Sequence, residues 1–408
     1  MNSQEQFDVC IIGGGMVGAT MAIALSGQGL RIAVVEAFPF RSDQQPSYDA
    51  RSIALAYGSH KIFDSIGLWR EMRDESTAIK EIHISDQGQF GVTRIDAHKE
   101  DVDALGYVIE NRVIGGALMQ RLNSCEDVSL LCPAKLESIQ YHSDGLELGI
   151  ALNDGVHKIR TRLMVGADGG NSQVRKLLDI GVNRWEYGQT AIISTVTPAY
   201  KHNNVAYERF TPGGPMALLP MSENRCSLVL TTRDADVDGV MALEDDAFLS
   251  LLTDRFGYRL GAFTRVAKRH AYPLVMLKTK EHIRPGVAII GNAAHTLHPV
   301  AGQGFNLGIR DVSTLAEVVV NAARQGEDIG SDAVLKRYEV ARKRDHMGVI
   351  GFTDTVARVF SNQWGPLAHL RSKGLLVTDL VPPLKHFLTR RTMGMAGRLP
   401  RLSRGLPL

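Results

Sequence analysis

The chain has 408 residues, 44% of them hydrophobic and 22% charged, with a formal net charge of +2. This suits a folded, enzyme-sized chain with a substantial core, and the bulk charge gives no case for a nucleic-acid partner. No apolar run reaches the ~18 residues of a bilayer span. The N-terminus lacks a signal-peptide pattern, and four scattered cysteines (Cys10, Cys125, Cys132, Cys226) form no CxxC pair, so a cytoplasmic protein with reduced thiols is expected.

The strongest local signal is "FDVCIIGGGMVGATMAIALSGQGLRIAVVE", residues 7–36. Phe7–Ile12 reads as a buried strand, Met16–Ser26 as an Ala-rich helix and Arg31–Val35 as a second buried strand. Between the first two lies G-x-G-x-x-G. Gly13 permits a tight turn out of the strand, Gly15 lets a pyrophosphate approach the backbone, and Gly18 lets the helix pack on the strand. The helix N-terminus offers free N–H groups and partial positive charge. Glu36 closes the second strand, where it can accept both hydrogen bonds of an adenosine ribose. The fingerprint alone does not separate NAD from FAD. A second copy is absent, which implies one tightly bound dinucleotide and no separate domain for another.

Residues 49–69 read as a loop leading into an amphipathic helix, with Arg51 at the helix start. Arg51 is either a solvated arginine or a phosphate or flavin contact. Residues 78–97 alternate around Gly88 and Gly91 and predict a hairpin, and 108–123 predict a helix. "VSLLC" is a short strand, and 134–167 a meander with turns at Ser143-Asp144-Gly145 and Asn153-Asp154-Gly155. Residues 187–233 and 262–277 alternate again, with a helix over 244–256 between them, and 332–361 are helical. The expected fold is mixed α/β, with a Rossmann-like domain built from 1–77, 98–186 and 272–365. An antiparallel-sheet domain (78–97 and 187–271) is inserted, and a helical, basic tail (366–408) follows.

Two further glycine-rich loops follow short apolar strands and open helices: "GADGGNSQVR" (166–175) and "GNAAHTLHPVAGQGFNLG" (291–308). With the N-terminal fingerprint, in this order, they resemble the single-component FAD-dependent aromatic hydroxylases of the p-hydroxybenzoate hydroxylase fold. The resemblance runs to about residue 365. Within that family, "IIGGGMVGA", "DARSIALA", "VIENRVIGGAL" and "HPVAGQGFNLG" look most like the hydroxylases of ubiquinone biosynthesis. "ERFTPGGPMALLPMS" (208–222) and "GNAAHTLHP" favour the 2-octaprenyl-6-methoxyphenol hydroxylase branch, although the family more usually has Asp where this chain has Asn292.

The resemblance implies FAD as tightly bound cofactor, NAD(P)H as transient co-substrate and a flavin C4a-hydroperoxide that oxygenates a polyprenylated phenol with O2. Gly13, Gly15 and Gly18 would line the FAD pyrophosphate and Glu36 the ribose. Arg51 and Asn111 would contact the flavin side, Asp168 would organise the cleft and NAD(P)H access, and Asn292 would meet the ribityl chain. Gly302, Gln303, Gly304 and Asn306 would present backbone N–H groups near the flavin ring, which Pro299 would wall without offering a proton. No catalytic base is named. His295 and Tyr207 fit hydrogen-bonded and core roles as well as catalytic ones. His295 and His298, three apart, lack a third ligand, and no metal is expected.

After Ser372 the tail carries Lys373, Lys385, Arg390, Arg391, Arg398, Arg401 and Arg404 against Asp379 alone. It is either a helical cap or a surface for an anionic membrane or for other ubiquinone-biosynthesis proteins. The competing functions are a flavin-dependent reductase or epoxidase acting on an isoprenoid, and a non-catalytic FAD-containing subunit of a biosynthetic assembly.

Overall fold

The computed structural model describes residues 5–39, 51–298, 302–361 and 365–408, with the side chains of 357–371 outside the description. In chain order the elements begin with β1 (Glu5–Ile12), α1 (Met16–Leu25), β2 (Ile32–Val35), β3 (Ser52–Ala56), α2 (Tyr57–Ser65), α3 (Trp69–Met72) and β4 (Thr77–Ile79). Next come β5 (Glu81–Asp86), β6 (Val92–Asp96), β7 (Gly106–Glu110), α4 (Asn111–Asn123), β8 (Val128–Leu131), β9 (Lys135–His142), β10 (Gly145–Leu152), β11 (Gly155–Gly166) and α5 (Gln173–Leu177). The middle of the chain forms β12 (Val182–Pro198), β13 (Val205–Thr211), β14 (Gly214–Pro220), β15 (Cys226–Arg233), α6 (Val237–Met241), α7 (Asp245–Phe256), β16 (Phe263–Val266) and β17 (His270–Thr279). It ends with β18 (Ile283–Arg284), β19 (Val287–Ile289), β20 (His295–Thr296), α8 (Gln303–Arg324), α9 (Asp332–Ser361), α10 (Gly365–Leu380) and α11 (Pro382–Thr392).

Three sheets organise these elements. The first runs β18-β19-β11-β1-β2-β8, with β10 and β9 continuing from β11. Its central strands β19, β11, β1, β2 and β8 are parallel. Val9, Ile11, Ile32 and Val34 are fully buried, because helices on one face and the β9–β10 ribbon with α5 on the other leave no side of these strands to water. The second sheet has nine strands, β20-β17-β12-β15-β14-β13-β5-β6 with β16 beside β12. The third, β3-β7-β4, is small and antiparallel.

The predicted hairpin over 78–97 is β5 paired with β6, and the meander over 134–167 is β9–β10–β11. Two readings are corrected. Arg51 precedes strand β3 and not a helix, and the helix expected from 108 begins at Asn111 after β7. Both missed strands are five residues long and run directly into helices, so their apolar residues read as helical turns. β17 crosses the expected domain boundary at 271/272.

Candidate functional site

Register brings the sequence motifs together. Ile12 pairs with Val35 on one side and Gly166 on the other, and Gly166 pairs with Ile289. Four parallel strands therefore end in one row. Backbone bonds lock the chains just beyond it: Gly13 N donates to Val35 O at 2.8 Å, Ala167 N to Ile12 O at 2.8 Å and Ile290 N to Gly166 O at 2.9 Å. Gly13–Gly18, Glu36, Asp168 and Gly291–Asn292 thus lie side by side at the carboxyl edge of a parallel sheet, where such sheets bind ligands.

The glycines are required by space. Gly13 has φ +101°, and a Cβ there would lie 2.6 Å from Ala167 O. A Cβ on Gly18 would collide with Gly13 O. Gly15 is the N-cap of α1, without a side-chain cap and with no acid in the first turn. Glu36 is buried at 7% exposure, and its Oε2 accepts from Gly14 N at 2.7 Å while Oε1 accepts from Phe38 N at 2.9 Å. Burial raises its pKa, and those backbone bonds oppose the rise. The carboxylate retains acceptor capacity for a ribose hydroxyl.

Asp168 caps α5, with Oδ2 accepting from Gln173 N at 2.6 Å and Val174 N at 3.0 Å. Its Oδ1 is buried and accepts nothing among the described residues. A buried carboxylate oxygen is costly without a donor, so this atom, in the loop that follows β11, fits a donor on a bound cofactor. Asn292 stands exposed in a tight turn after β19.

A second group closes on the N-terminus of α8. Gly302, at φ +59°, starts the helix. Asn306 is buried, with Oδ1 accepting from Ala56 N at 2.8 Å and Nδ2 donating to Ala54 O at 2.8 Å and Gly302 O at 2.7 Å. It ties β3 to α8, so its side chain serves the wall itself. Gln303 Nε2 donates to Thr392 O at 3.1 Å, and Gly304 borders open space. Asn111 is buried at the start of α4 and its N donates to Arg51 O at 2.7 Å. The Arg51 guanidinium lies 4.9 Å from the Tyr272 ring on β17. Arg51, Asn111, Gly302 and Asn306 therefore converge beside the row of glycine loops. Pro299 lies outside the described residues.

The sequence reading missed a buried hub at Asp311 on α8. Asp311 Oδ2 accepts from His295 Nε2 at 2.8 Å and from Gly291 N at 3.3 Å. Its Oδ1 accepts from Arg342 Nε at 2.7 Å and His346 Nε2 at 2.6 Å, both on α9. Burial alone would raise the Asp311 pKa, but His346, Arg342 and His295 outweigh it and hold the carboxyl well below its usual range. His295, Asp311 and His346 form a metal-type ligand set, yet the guanidinium of Arg342 already occupies the carboxylate, which opposes a second cation. His298 goes elsewhere, edge-on to the Tyr187 ring at 5.0 Å. The hub instead pins the Gly291–His295 loop to two helices.

A model of the FAD binding domain family matches residues 6–353. The ubiquinone hydroxylase UbiL of Rhodospirillum rubrum is 39% identical over 98% of this chain and 93% of its own. The 3-demethoxyubiquinol 3-hydroxylase of Escherichia coli is 34% identical over 96% of this chain and 100% of its own. Among solved structures, p-nitrophenol 4-monooxygenase PnpA from Pseudomonas putida superposes with a TM-score of 0.79 at 18% identity, covering 97% of this chain and 100% of that one. That last likeness is one of fold. The row of glycine loops, the unpartnered Asp168 oxygen and these relationships converge: the chain belongs to the FAD binding domain family, as an FAD-dependent monooxygenase related to the hydroxylases of ubiquinone biosynthesis.

Proposed function

We propose that this monooxygenase hydroxylates the aromatic ring of a polyprenylated phenol in ubiquinone biosynthesis, with NAD(P)H as reductant and O2 as oxidant. The observation that carries it is the 34–39% identity, over nearly the whole chain, to relatives named for ubiquinone hydroxylation. Bound FAD supplies the ring that accepts a hydride and activates O2. We assign Gly13, Gly15 and Gly18 to its pyrophosphate, Glu36 to its ribose, and Asp168 and Asn292 to its remaining hydroxyls. Arg51, Asn111 and the first turn of α8, from Gly302 through Gly304 to Asn306, form the wall beside the ring. That turn carries free N–H groups and partial positive charge, which favour the anionic reduced state. The division into a discontinuous cofactor domain and an inserted substrate domain is part of the same reading. The test is oxidation of NADPH by the purified yellow protein. A prenylated phenol should stimulate it and appear as hydroxylated product, whose ring position decides the branch. Stimulation by an isoprenoid alkene, with no phenol product, favours the reductase or epoxidase.

A polyprenyl tail gains ~0.8 kcal/mol per CH2 in lipid, so such a substrate stays in the bilayer. No helix among the described residues is long and apolar enough to cross a membrane. We propose that the consecutive helices α10 and α11 dock on an anionic bilayer. Leu376, Val377, Leu380, Val381, Leu384 and Phe387, within twelve residues of chain, are between 38% and 67% exposed. Phe90, fully exposed, adjoins them, since Gly91 N donates to Ser372 Oγ at 2.9 Å. Lys373, Arg390 and Arg94 are exposed around this ridge, while its acid, Asp379, is paired with Lys385 at 2.7 Å. Two copies meeting here would juxtapose like charges, whereas anionic lipid complements them.

A further inference from the structure

The substrate sheet has one face that is closed and one that is open. Directly paired residues point to the same face of a sheet. Tyr207, Leu218, Leu228 and Ile192 point one way, into a core with Phe248, Leu252 and Phe256 of α7, and all are buried. Their sequence neighbours point the other way. Glu208 pairs with Ala217, Ala217 with Val229, and Val229 with Ile193, while Ile84 extends the row on β5. Every residue of this row is part-exposed, although β13, β14 and β15 are interior strands and α9 packs beside the row against β14. Among the described residues a gap therefore remains over this row.

Its margins identify where it faces. On one side the next row, Ala206, Leu219 and Ile82, packs against Ala54 of β3 and Val108 of β7. On the other, Tyr272, paired to Ala191, lies beneath the Arg51 guanidinium. The opening thus sits between the substrate sheet and the wall assigned to the flavin. Its floor is aliphatic with one carboxyl. Glu208 accepts no hydrogen bond and meets no cation among the described residues, and its aliphatic surroundings push its pKa up from the ordinary carboxylate value, a rise that its part exposure moderates. Among the described residues the other ionisable groups on this face are Arg51, Tyr272, His270 at the far edge, Asp86 further along β5, and Arg233 and Arg265 toward the ends of β15 and β16, with Asp354 on α9 held by Tyr187. His83, Arg209 and Arg259 bear on the opposite face, around Tyr207.

We propose that Glu208 is the base that takes the phenol proton in the hydroxylation proposed above, on which this assignment rests. The phenol O–H bond breaks, a new O–H bond forms on the Glu208 carboxylate, and the electron pair stays on the phenolate oxygen. Phenolate pushes electron density into the ring, which makes the ring carbon the better nucleophile toward activated oxygen. The proton then leaves to solvent through the same opening. A carboxyl whose pKa is raised by apolar surroundings lies closer to a phenol pKa of about 10 than an ordinary carboxylate does. An aliphatic floor around a single carboxyl suits a prenylated ring with one hydroxyl.

The test is Glu208→Gln in the full-length FAD-loaded protein, with Glu208→Asp beside it and a short-chain 2-prenylphenol as probe. In Glu208→Gln, flavin absorbance and melting temperature should match wild type. Hydroxylated product should fall by about 10²–10⁴-fold, with NADPH oxidation uncoupled from product. The acid limb of the product-rate profile should disappear, and Glu208→Asp should restore part of it. Ultraviolet difference spectra should show bound phenolate in wild type above that limb and bound neutral phenol in Glu208→Gln. Wild-type product rate and pH limb in Glu208→Gln, or bound phenolate in that variant, overturn the assignment. Absence of product from wild type overturns the proposed reaction instead, and the difference spectra then judge Glu208 alone.

Discussion

Asp311 accepts a hydrogen bond from His295 at 2.8 Å with both side chains wholly inaccessible to water. The same carboxylate oxygen meets the backbone N–H of Gly291, next to Asn292 in the turn that follows β19. Asp311→Ala would leave His295 and His346 without their acceptor and Arg342 with Asp345 as its remaining anion. Breaking a buried charge network on one side costs about 3–5 kcal/mol. Urea unfolding should show that loss, and FAD affinity should fall with it because the Gly291 loop loses its anchor. Asp311→Asn retains one acceptor and should lose less. Equal stability of Asp311→Ala and wild type would remove the hub from the account.

Asn306→Ala isolates the wall from the hub. The variant strands the N–H of Ala56 and removes the donor to Ala54 O and Gly302 O. A buried group left without its partner costs about 1–3 kcal/mol. Weaker FAD retention on gel filtration, with a lower denaturation midpoint, is the expected pair of results. Tight FAD binding in a destabilised variant would mean that β3 does not shape the site.

Stability should fall in mild acid. Burial is the main cause that lowers His298 to about 4 and His83 to about 4. In the unfolded chain each titrates near 6.5. Between those values the unfolded state binds protons that the folded state refuses, so stability is full above about 6.5 and declines as pH falls toward 4. Each histidine contributes up to about 1.4 kcal/mol per pH unit in that window. Urea midpoints between neutrality and mild acid measure the slope, and His298→Gln should flatten it.

Much of the cofactor wall is legible from sequence because its signals are local. Gly13, Gly15 and Gly18 with Glu36 sit within one strand–helix–strand unit, where spacing alone dictates the geometry. The nearness of Asp168 and Asn292 to that unit follows from strand register, which no local pattern encodes. The Asp311 partners lie 16, 31 and 35 residues away in sequence, so the hub exists only after folding. Glu208 opens the segment 208–222 that carries the family likeness, yet its altered acidity comes from surroundings contributed by other strands. Short strands such as Ser52–Ala56 were hidden because a five-residue strand leading into an amphipathic helix has no separate period.

Asn292→Asp tests the residue in which this chain departs from the pattern its resemblance implies. Aspartate keeps the acceptor that a cofactor hydroxyl needs, so FAD should remain bound. On the proposed assignment it adds a negative charge beside a cofactor that becomes anionic on reduction. The reduction potential of the bound flavin should fall, by on the order of tens of millivolts at the interior's effective dielectric. Spectroelectrochemical titration measures it. An unchanged potential would mean that Asn292 is merely tolerated.

The proposed docking surface gives a prediction independent of chemistry. Leu380 and Phe387, on α10 and α11, are 67% and 55% exposed and lie outside the residues assigned to cofactor or substrate. Burying one such side chain contributes about 1.5–3 kcal/mol, so each charge-bearing replacement should weaken lipid partitioning by about tenfold or more. Full-length wild type should sediment with phosphatidylcholine vesicles that contain phosphatidylglycerol, less so without it, and less at high salt. The Leu380→Asp/Phe387→Asp variant should stay in the supernatant while still oxidising NADPH in the presence of a soluble short-chain phenol. Lys373→Glu/Arg390→Glu should lose the preference for anionic lipid but keep residual binding. A wild-type protein that ignores both vesicle types, yet dissociates from a dimer to a monomer on the Leu380→Asp/Phe387→Asp change, would assign the ridge to self-association. Vesicle binding that survives both pairs of substitutions would place the membrane contact elsewhere.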